Sequence, residues 1–213
     1  DRGVTNNGAV FVYPGVQGLF FGEEPSRVLY GRNAYARFGT AIATCDFDAD
    51  GFVDLAVGAQ EDIDEAVALP AEDQGAVHVF RGTATGFDDD ASFLLYGVLP
   101  DGLGGFVPGA GMNLGSALSA GDFDGDGLCD LAVGAQEATI DGADGSGMVY
   151  LYLGTQEDDA LLTREPVLRI EGTAGSELGR RLAMDDVNGD GRMDLAASAW
   201  GDDGDASATG AVW

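Results

Sequence analysis

The sequence predicts an all-β protein made of repeated units of four antiparallel strands, and three observations lead to this fold class. An acidic pattern of nine residues occurs three times, at 46–54, 122–130 and 186–194. Short apolar runs of strand length precede and follow the copies. Gly-Ala-Val or an equivalent triplet recurs at 8–10, 75–77, 147–149 and 210–212, with spacings of 67, 72 and 63 residues. Four short strands in a period of this length are typical of a β-propeller blade.

Each repeat is predicted to contain strands that we call A to D. Strand A leads into the acidic loop and strand B leaves it, as in the runs 40–44 and 55–59. Strand C is the Gly-Ala-Val strand, and strand D ends at residues 29–30, 95–96 or 170–171. The predicted divisions are 1–31 for strands C and D of a preceding blade, 32–97 and 98–172 for two blades, and 173–213 for a partial blade.

About three repeats are too few to close a ring, because closed propellers have about four to eight blades. We therefore expect residues 1–213 to form an open arc or part of a larger ring, as a segment of a longer propeller or as a protomer that completes its ring with another chain. Self-association is also expected, since an open arc exposes apolar blade faces. The chain starts at Asp1 without a signal peptide, which predicts a mature or excised piece.

The acidic loop has the residue types of a calcium site. Each copy reads Asp-x-Asp/Asn-x-Asp-Gly-x-x-Asp, and closely spaced oxygen ligands in a tight turn suit a hard cation. Without a cation, the converging carboxylates would repel one another. Three Ca²⁺ sites are predicted, with side-chain ligands at positions 1, 3, 5 and 9 and a backbone carbonyl at position 7: Asp46, Asp48, Asp50, Phe52 and Asp54; Asp122, Asp124, Asp126, Leu128 and Asp130; and Asp186, Asn188, Asp190, Arg192 and Asp194.

Two details of these loops lead to further expectations. The ninth residue, such as Asp130, is expected to bind Ca²⁺ through both oxygens and to anchor the start of strand B. The third site should be the weakest, because the neutral Asn188 removes one negative charge, although Asp185 partly restores it. An EF-hand does not fit, because position 12 holds Val57, Val133 or Ala197 where that loop requires a bidentate Glu. The loop is therefore expected at the tip of a β-hairpin.

The flanks of the loops resemble the FG-GAP repeat of integrin alpha-subunit propellers. Phe38-Gly39 before the first loop and Val57-Gly58-Ala59 after it match the two halves of that repeat. The second copy has Leu114-Gly115 and Val133-Gly134-Ala135, and a degenerate third has Leu178-Gly179 and Ala197-Ser198-Ala199. The resemblance implies a propeller fold and calcium binding in the A–B loops. It does not extend to the partners of integrins.

Composition excludes several classes of function. The formal net charge is −27 and all ten basic residues are arginine, so nucleic-acid binding is excluded. No apolar stretch reaches the ~20 residues of a membrane helix, so membrane insertion is not expected. Acidic runs such as 88–90 and 157–159 are interpreted as solvated loops, with additional metal sites as the alternative. No nucleophile, zinc or phosphate-loop motif is present, and we expect no enzymatic activity in this chain.

Three single residues have open interpretations. His78 occupies a position where other copies have Phe11, Tyr150 and Trp213, which favours packing over a general base, since no partner near it in the sequence suggests one. Cys45 and Cys129 lie at the calcium-loop ends of their blades. They form a disulfide if an extracellular compartment and a Cα separation below ~7 Å allow it. Otherwise they are two small buried residues.

The leading functional hypothesis is a calcium-stabilised extracellular propeller module, secreted or at the cell surface, that serves adhesion or recognition of a protein or glycan partner. One alternative is the non-catalytic propeller part of a secreted hydrolase, as in the family resembling GPI-specific phospholipase D. Another is a structural building block of an extracellular assembly. The connection 97–114, with Leu103, Phe106, Val107, Pro108 and Met112, is a candidate contact surface, unless these residues pack over a blade edge.

Overall fold

The computed structural model describes residues 6–15, 22–66, 72–100, 106–156 and 160–201. The strands are β1 (Ala9–Val12), β2 (Arg27–Tyr30), β3 (Phe38–Cys45), β4 (Asp54–Ala59), β5 (Ala76–Phe80), β6 (Gly82–Thr83), β7 (Gly86–Phe87), β8 (Phe93–Tyr96), β9 (Val98–Pro100), β10 (Phe106–Pro108), β11 (Leu114–Gly121), β12 (Asp130–Ala135), β13 (Met148–Tyr152), β14 (Leu168–Glu171), β15 (Leu178–Asp185) and β16 (Asp194–Ala199). These residues include no helix long and apolar enough to cross a membrane.

The strands form two complete four-stranded sheets, two partial ones and two small two-stranded pairs, β6 with β7 and β9 with β10. The complete sheets have the orders β3-β4-β5-β8 and β11-β12-β13-β14, with every neighbouring pair antiparallel. This is the predicted order A-B-C-D. Strands β1 and β2 pair as one partial sheet, and β15 and β16 pair as the other. The predicted all-β class with four-stranded antiparallel blades is confirmed, and the arrangement is open.

The inner strands of the complete sheets form the core. Strands β4 and β12 share the sequence DLAVGA, and every residue in both is buried, as is every residue of β5 and β13. A continuous apolar run suits a strand covered on both faces. One cluster joins the two sheets and includes Val77, Val133, Met148 and Tyr150. Each such side chain contributes roughly 1.5–3 kcal/mol through burial.

Neighbouring sheets approach each other at glycine. An ideal Cβ on Gly58 would lie 2.0 Å from the carbonyl oxygen of Gly115, and one on Gly134 would lie 2.0 Å from that of Gly179. The second glycines, Gly115 and Gly179, also have φ near +90°. Each is the second residue of its strand A, and the pairing of that strand with strand B shifts by a bulge directly after it. The glycine that follows the acidic loop of one repeat therefore meets the glycine that precedes the acidic loop of the next repeat. Ser198 stands where Gly58 and Gly134 stand in the other copies.

A disulfide links the two complete sheets. Cys45, the last residue of β3, is bonded to Cys129, which directly precedes β12, and their Cα atoms are 6.0 Å apart. Of the two interpretations left open by the sequence, the structure has the bridge. The stacking of the sheets brings the loop ends of their A–B hairpins within reach of each other.

The connection 97–114 is not a simple apolar contact surface. Met112 is fully buried and belongs to the core cluster that joins the two sheets, so of the two interpretations left open by the sequence the structure has packing for this residue. The reason is that the chain turns inward before β11, whose first residue, Leu114, is also buried. Val107 is exposed, on the hairpin that β9 forms with β10. Leu103 lies outside the described residues, as do the acidic run 157–159 and the last Gly-Ala-Val equivalent at 210–212 with Trp213.

The glycine contact predicts a large effect of one methyl group. Gly134→Ala should lower the free energy of unfolding by about 2 kcal/mol or more, because the new Cβ would overlap a backbone oxygen that cannot rotate away. Gly15→Ala is the matched control, since a Cβ there would meet nothing within 4 Å and should change stability by no more than about 0.5 kcal/mol. Denaturant unfolding measures both values. Equal losses in the two variants would contradict this account of the interface.

Candidate metal centres

The first acidic loop connects β3 to β4 and is folded by its own carboxylates. Asp46 accepts hydrogen bonds from the N–H groups of Asp50 (3.1 Å) and Gly51 (3.0 Å), one on each oxygen. Asp50 accepts one from Phe52 (2.8 Å). Oxygens of Asp46, Asp48 and Asp50 lie within 4.8 Å of one another, a spacing at which they could hold one metal ion. The turn therefore gathers negative charge on a backbone already shaped around it.

The second loop, between β11 and β12, repeats this arrangement. Asp122 accepts from Gly125 (2.8 Å) and Gly127 (3.0 Å), and Asp126 accepts from Leu128 (2.8 Å). The converging carboxylates here are those of Asp122, Asp124 and Asp130. Each oxygen that accepts a single N–H retains a lone pair, so the same oxygens can still ligate a cation.

The third loop, between β15 and β16, has the same turn with weaker convergence. Asp186 accepts from the N–H groups of Gly189 (2.7 Å) and Gly191 (2.8 Å), and the Gly191 bond is the largest cause that lowers the pKa of Asp186 below 3.8. The amide of Asn188 donates to Asp194 at 3.3 Å. In the described part of the chain, no three acidic groups of this loop lie within 4.8 Å of one another.

The ninth residue of the first two loops is buried and joins the loop to the far end of strand C. One oxygen of Asp54 accepts from Phe47 N–H (2.8 Å) and the other from Gly82 N–H (2.7 Å). Asp130 accepts in the same way from Phe123 (2.7 Å) and Gly154 (2.9 Å). Burial raises the pKa of both carboxyls above 3.8, and these backbone hydrogen bonds oppose the rise. The two carboxylates thus have a structural role besides the predicted one as ligands.

The structure brings together part of each predicted ligand set. Asp54 lies outside the group of three in the first loop, and Asp126 lies outside that in the second. The residues at position 7 were predicted to ligate through their backbone carbonyls. Their backbone N–H groups donate to the carboxylate at position 5, at 2.8 Å for Phe52 and Leu128 and at 3.0 Å for Arg192. Asp185, expected to supplement the third site, accepts a bond from Asp186 N–H at 2.9 Å.

Two residues from outside the first loop hold Asp48. The guanidinium of Arg81, just after strand C, forms an ion pair with its carboxylate at 3.0 Å. The side-chain amide of Gln156, from the second sheet's C–D connection, donates to its carbonyl at 2.9 Å. Sequence reasoning missed both residues. One signal in the repeat could have found them, namely their nearness to the glycine after strand C that donates to the ninth aspartate. Arg81 directly precedes Gly82 in the first complete sheet, and Gln156 lies two residues after the equivalent Gly154 in the second.

His78 has a partner that the sequence did not indicate. Its Nε2 lies 2.6 Å from an oxygen of Asp62, both side chains are 1% exposed, and Phe38 packs edge-on against the imidazole. The other oxygen of Asp62 accepts from the amide of Asn33 (2.6 Å) and from Ile63 N–H (2.9 Å). The expected packing role is compatible with this environment. Nothing near His78 in the sequence indicated this acidic partner, because Asp62 reaches it only where the chain from β4 to β5 folds back onto strand C.

Comparison with known families accounts for the arrangement. The model of the FG-GAP repeat matches residues 38–80 and 114–152, each running from strand A through the acidic loop to the end of strand C. These two stretches are FG-GAP repeats. Each matched segment contains a buried ninth aspartate, and together they contain Gly58, Gly115 and Gly134, three of the four glycines that meet across sheets.

The relatives of these FG-GAP repeats include two kinds of protein. The chain is 36% identical over 170 residues to phosphatidylinositol-glycan-specific phospholipase D of Rattus norvegicus. The matched region covers 78% of this chain and 19% of that relative. The chain is 34% identical over 170 residues to integrin alpha-3 of Cricetulus griseus, covering 75% of the chain and 14% of the integrin. Integrin alpha-PS3 of Drosophila melanogaster is 30% identical over 175 residues. The chain thus spans a fifth or less of the length of these relatives.

The two carboxylates of the second loop should respond differently to amide substitution. Asp130→Asn should destabilise the metal-free protein by about 1–3 kcal/mol, because an NH₂ group would face a buried N–H donor. Asp126→Asn should leave the metal-free stability within about 0.5 kcal/mol, since its loop is exposed. Both should weaken calcium binding at this loop. Thermal melting with a chelator and calorimetric calcium titration measure the two effects, and equal melting temperatures for the metal-free variants would contradict the structural role of Asp130.

The pKa shifts predict how stability and the affinity of the second loop for a cation depend on pH. Because the folded-state pKa of Asp130 is raised above 3.8, the metal-free protein loses stability as the pH rises through the interval from 3.8 to that pKa. Calcium requires the deprotonated carboxylate, so its affinity should fall as the pH drops through the same interval. In metal-free protein, NMR titration of carboxyl carbons should give a midpoint above 3.8 for Asp130 and below 3.8 for Asp186. The reverse order would contradict this assignment.

Proposed function

We propose that the chain is a calcium-binding extracellular β-propeller module that serves adhesion or recognition of a protein or glycan partner. The observation that carries the proposal is the convergence of carboxylates in the A–B loops, at Asp46, Asp48 and Asp50 and again at Asp122, Asp124 and Asp130. Each loop is pre-shaped by bonds to its own backbone, which is how a rigid oxygen site is built. The full ligand sets at positions 1, 3, 5, 7 and 9, and the divisions 32–97 and 98–172, are part of this proposal.

The role proposed for calcium is structural. The chain has 37 acidic residues against ten basic ones, and 11 of the acids lie within 46–54, 122–130 and 186–194. A cation in each loop offsets their mutual repulsion at the points where strands A and B join. The buried Asp54 and Asp130 then transmit the order of the loop to the end of strand C through Gly82 and Gly154.

An extracellular location is supported by the covalent link between the sheets. The bridge between Cys45 and Cys129 is of a kind that persists in oxidising compartments and is rare in the cytosol. The likeness to integrin alpha chains supports a partner-binding role. We infer that this role requires no catalytic group in the chain itself.

A second candidate function follows from the relatives with phospholipase D names. Four of them share 31–36% identity with this chain over 167–175 residues. On this alternative the chain is the non-catalytic propeller part of a secreted hydrolase. A turnover assay on glycosylphosphatidylinositol substrates with the full-length gene product separates the two candidate functions. The hydrolase alternative predicts turnover, and a stand-alone adhesion protein predicts none. A structural building block would instead show ordered, concentration-dependent assembly by light scattering.

Calcium removal should lower stability markedly. At a calcium concentration a hundredfold above Kd, each occupied site adds about 2.7 kcal/mol to the free energy of unfolding. The melting temperature should therefore fall when a chelator is added and recover with excess Ca²⁺. Asp122→Asn should reduce the shift, while Glu137→Gln, an exposed acid beyond β12, should keep it. An unchanged melting temperature with no Ca²⁺ found by elemental analysis would overturn the proposal.

A further inference from the structure

A cavity of about 400 Å³ lies where the A strands of three successive repeats meet. Its volume is in the range of pockets that hold a small ligand or a few side chains. The strands contribute equivalent positions to its lining: 40–42 from β3, 116–118 from β11 and 180–182 from β15. None of these residues belongs to the acidic loops, so this is a second place where the repeats could bind a ligand.

The charge of the cavity is opposite to that of the protein. Among the residues that the structure describes, its charged lining residues are Arg180 and Arg181 and none is acidic, although the chain has 37 acidic and only ten basic residues. Where the third repeat has these arginines, the first two have a hydroxyl residue and alanine, as at Ser116 and Ala117. The third repeat therefore departs from the other two by adding positive charge at this point.

One of the two arginines has its charge unmatched. Arg180 is an ion-pair partner of Glu177 and stacks on the Trp200 ring, with its guanidinium carbon 4.0 Å from the ring centre. The exposed Arg181 donates one hydrogen bond to the Arg180 carbonyl at 2.7 Å. Within the described ranges of the chain, no carboxylate forms an ion pair with Arg181. Its remaining donors are available to an anion.

Amide and aliphatic groups complete the cavity. Gln60 and Gln136 follow strands β4 and β12 at equivalent positions, and no hydrogen bond joins either side chain to another of the residues that the structure describes. Each amide can donate to a ligand and accept from it. Ile42, Leu118 and Leu182 form an equivalent aliphatic row, and Ile42 is 57% exposed. The cavity thus offers a cation, two amides and an apolar strip.

We propose that this cavity binds the carboxylate of an Asp or Glu side chain that stands beside an aliphatic residue in a peptide segment of a partner protein. A guanidinium binds a carboxylate through two parallel hydrogen bonds, and the aliphatic row accommodates the neighbouring residue. The net charge of −27 repels polyanions, which favours a segment with a single acidic group over an acidic polysaccharide. The inference rests on the proposed recognition function and names the partner chemistry.

The test uses the full chain with saturating Ca²⁺ and two labelled peptides, acetyl-Ala-Leu-Glu-Leu-Ala-amide and its counterpart with Gln in place of Glu. Fluorescence polarisation should show the Glu peptide binding about tenfold more tightly or better, since the Gln peptide lacks the charge that strengthens a hydrogen bond to a guanidinium. Arg181→Gln should remove this preference. Arg169→Gln, an exposed arginine on β14, is the matched control and should retain it.

Equal affinity of the two peptides, or an undiminished preference in Arg181→Gln, would overturn the proposal. Binding of glucuronate through Arg181 in the absence of peptide binding would overturn the assignment to a protein partner. The calcium-dependent shift in melting temperature, measured on the same samples, reports on the proposed module separately. A normal shift without peptide preference would leave the module in place and remove only this cavity as its peptide site.

Discussion

The stacking of the sheets depends on backbone contacts that only glycine permits. Gly134 faces the carbonyl of Gly179, and Gly58 faces that of Gly115, at distances that leave no space for a Cβ atom. This close approach places strand B of one repeat beside strand A of the next. The core cluster shared by the two complete sheets exists because of it. One repeat thus contributes the Gly-Ala dipeptide at the end of its strand B, and the next repeat contributes the Phe-Gly or Leu-Gly dipeptide at the start of its strand A. The two dipeptides form one interface.

A second constraint acts at the loop end of the sheets, where like charges are concentrated. The buried Asp54 and Asp130 are bound by backbone N–H groups from two directions, their own loop and the segment after strand C. A carboxylate held in this way connects three strands without side-chain packing. The acidic turn is consequently part of the sheet architecture as well as a place that could hold a cation.

Features that repeat along the chain could be predicted from the sequence, and features that depend on how repeats meet could not. The recurrence of 46–54 at 122–130 identified the hairpins, the strand order and the positions of the acidic groups. The partner of His78 was missed, because Asp62 lies in a connection with no periodic pattern. The burial of Met112 was left open, since composition does not tell which residue of a long connection turns inward. The bridge between Cys45 and Cys129 was left open, because it requires the distance between two neighbouring sheets.

The same bridge changes how the chain would respond to mechanical load. A protein under tension is pulled through its backbone, and a sheet that unravels releases the length of its extended chain. Cys45 and Cys129 are 84 positions apart, so the bond between them keeps about 290 Å of contour length, at about 3.4 Å per residue, out of the force path. Tension applied outside this segment passes through the sulfur atoms instead of peeling β4, β5 and β8 from one another. In an oxidising medium, the acidic loop of the first complete sheet and the strands that follow it are therefore shielded from stretching, whatever the load on the flanking strands.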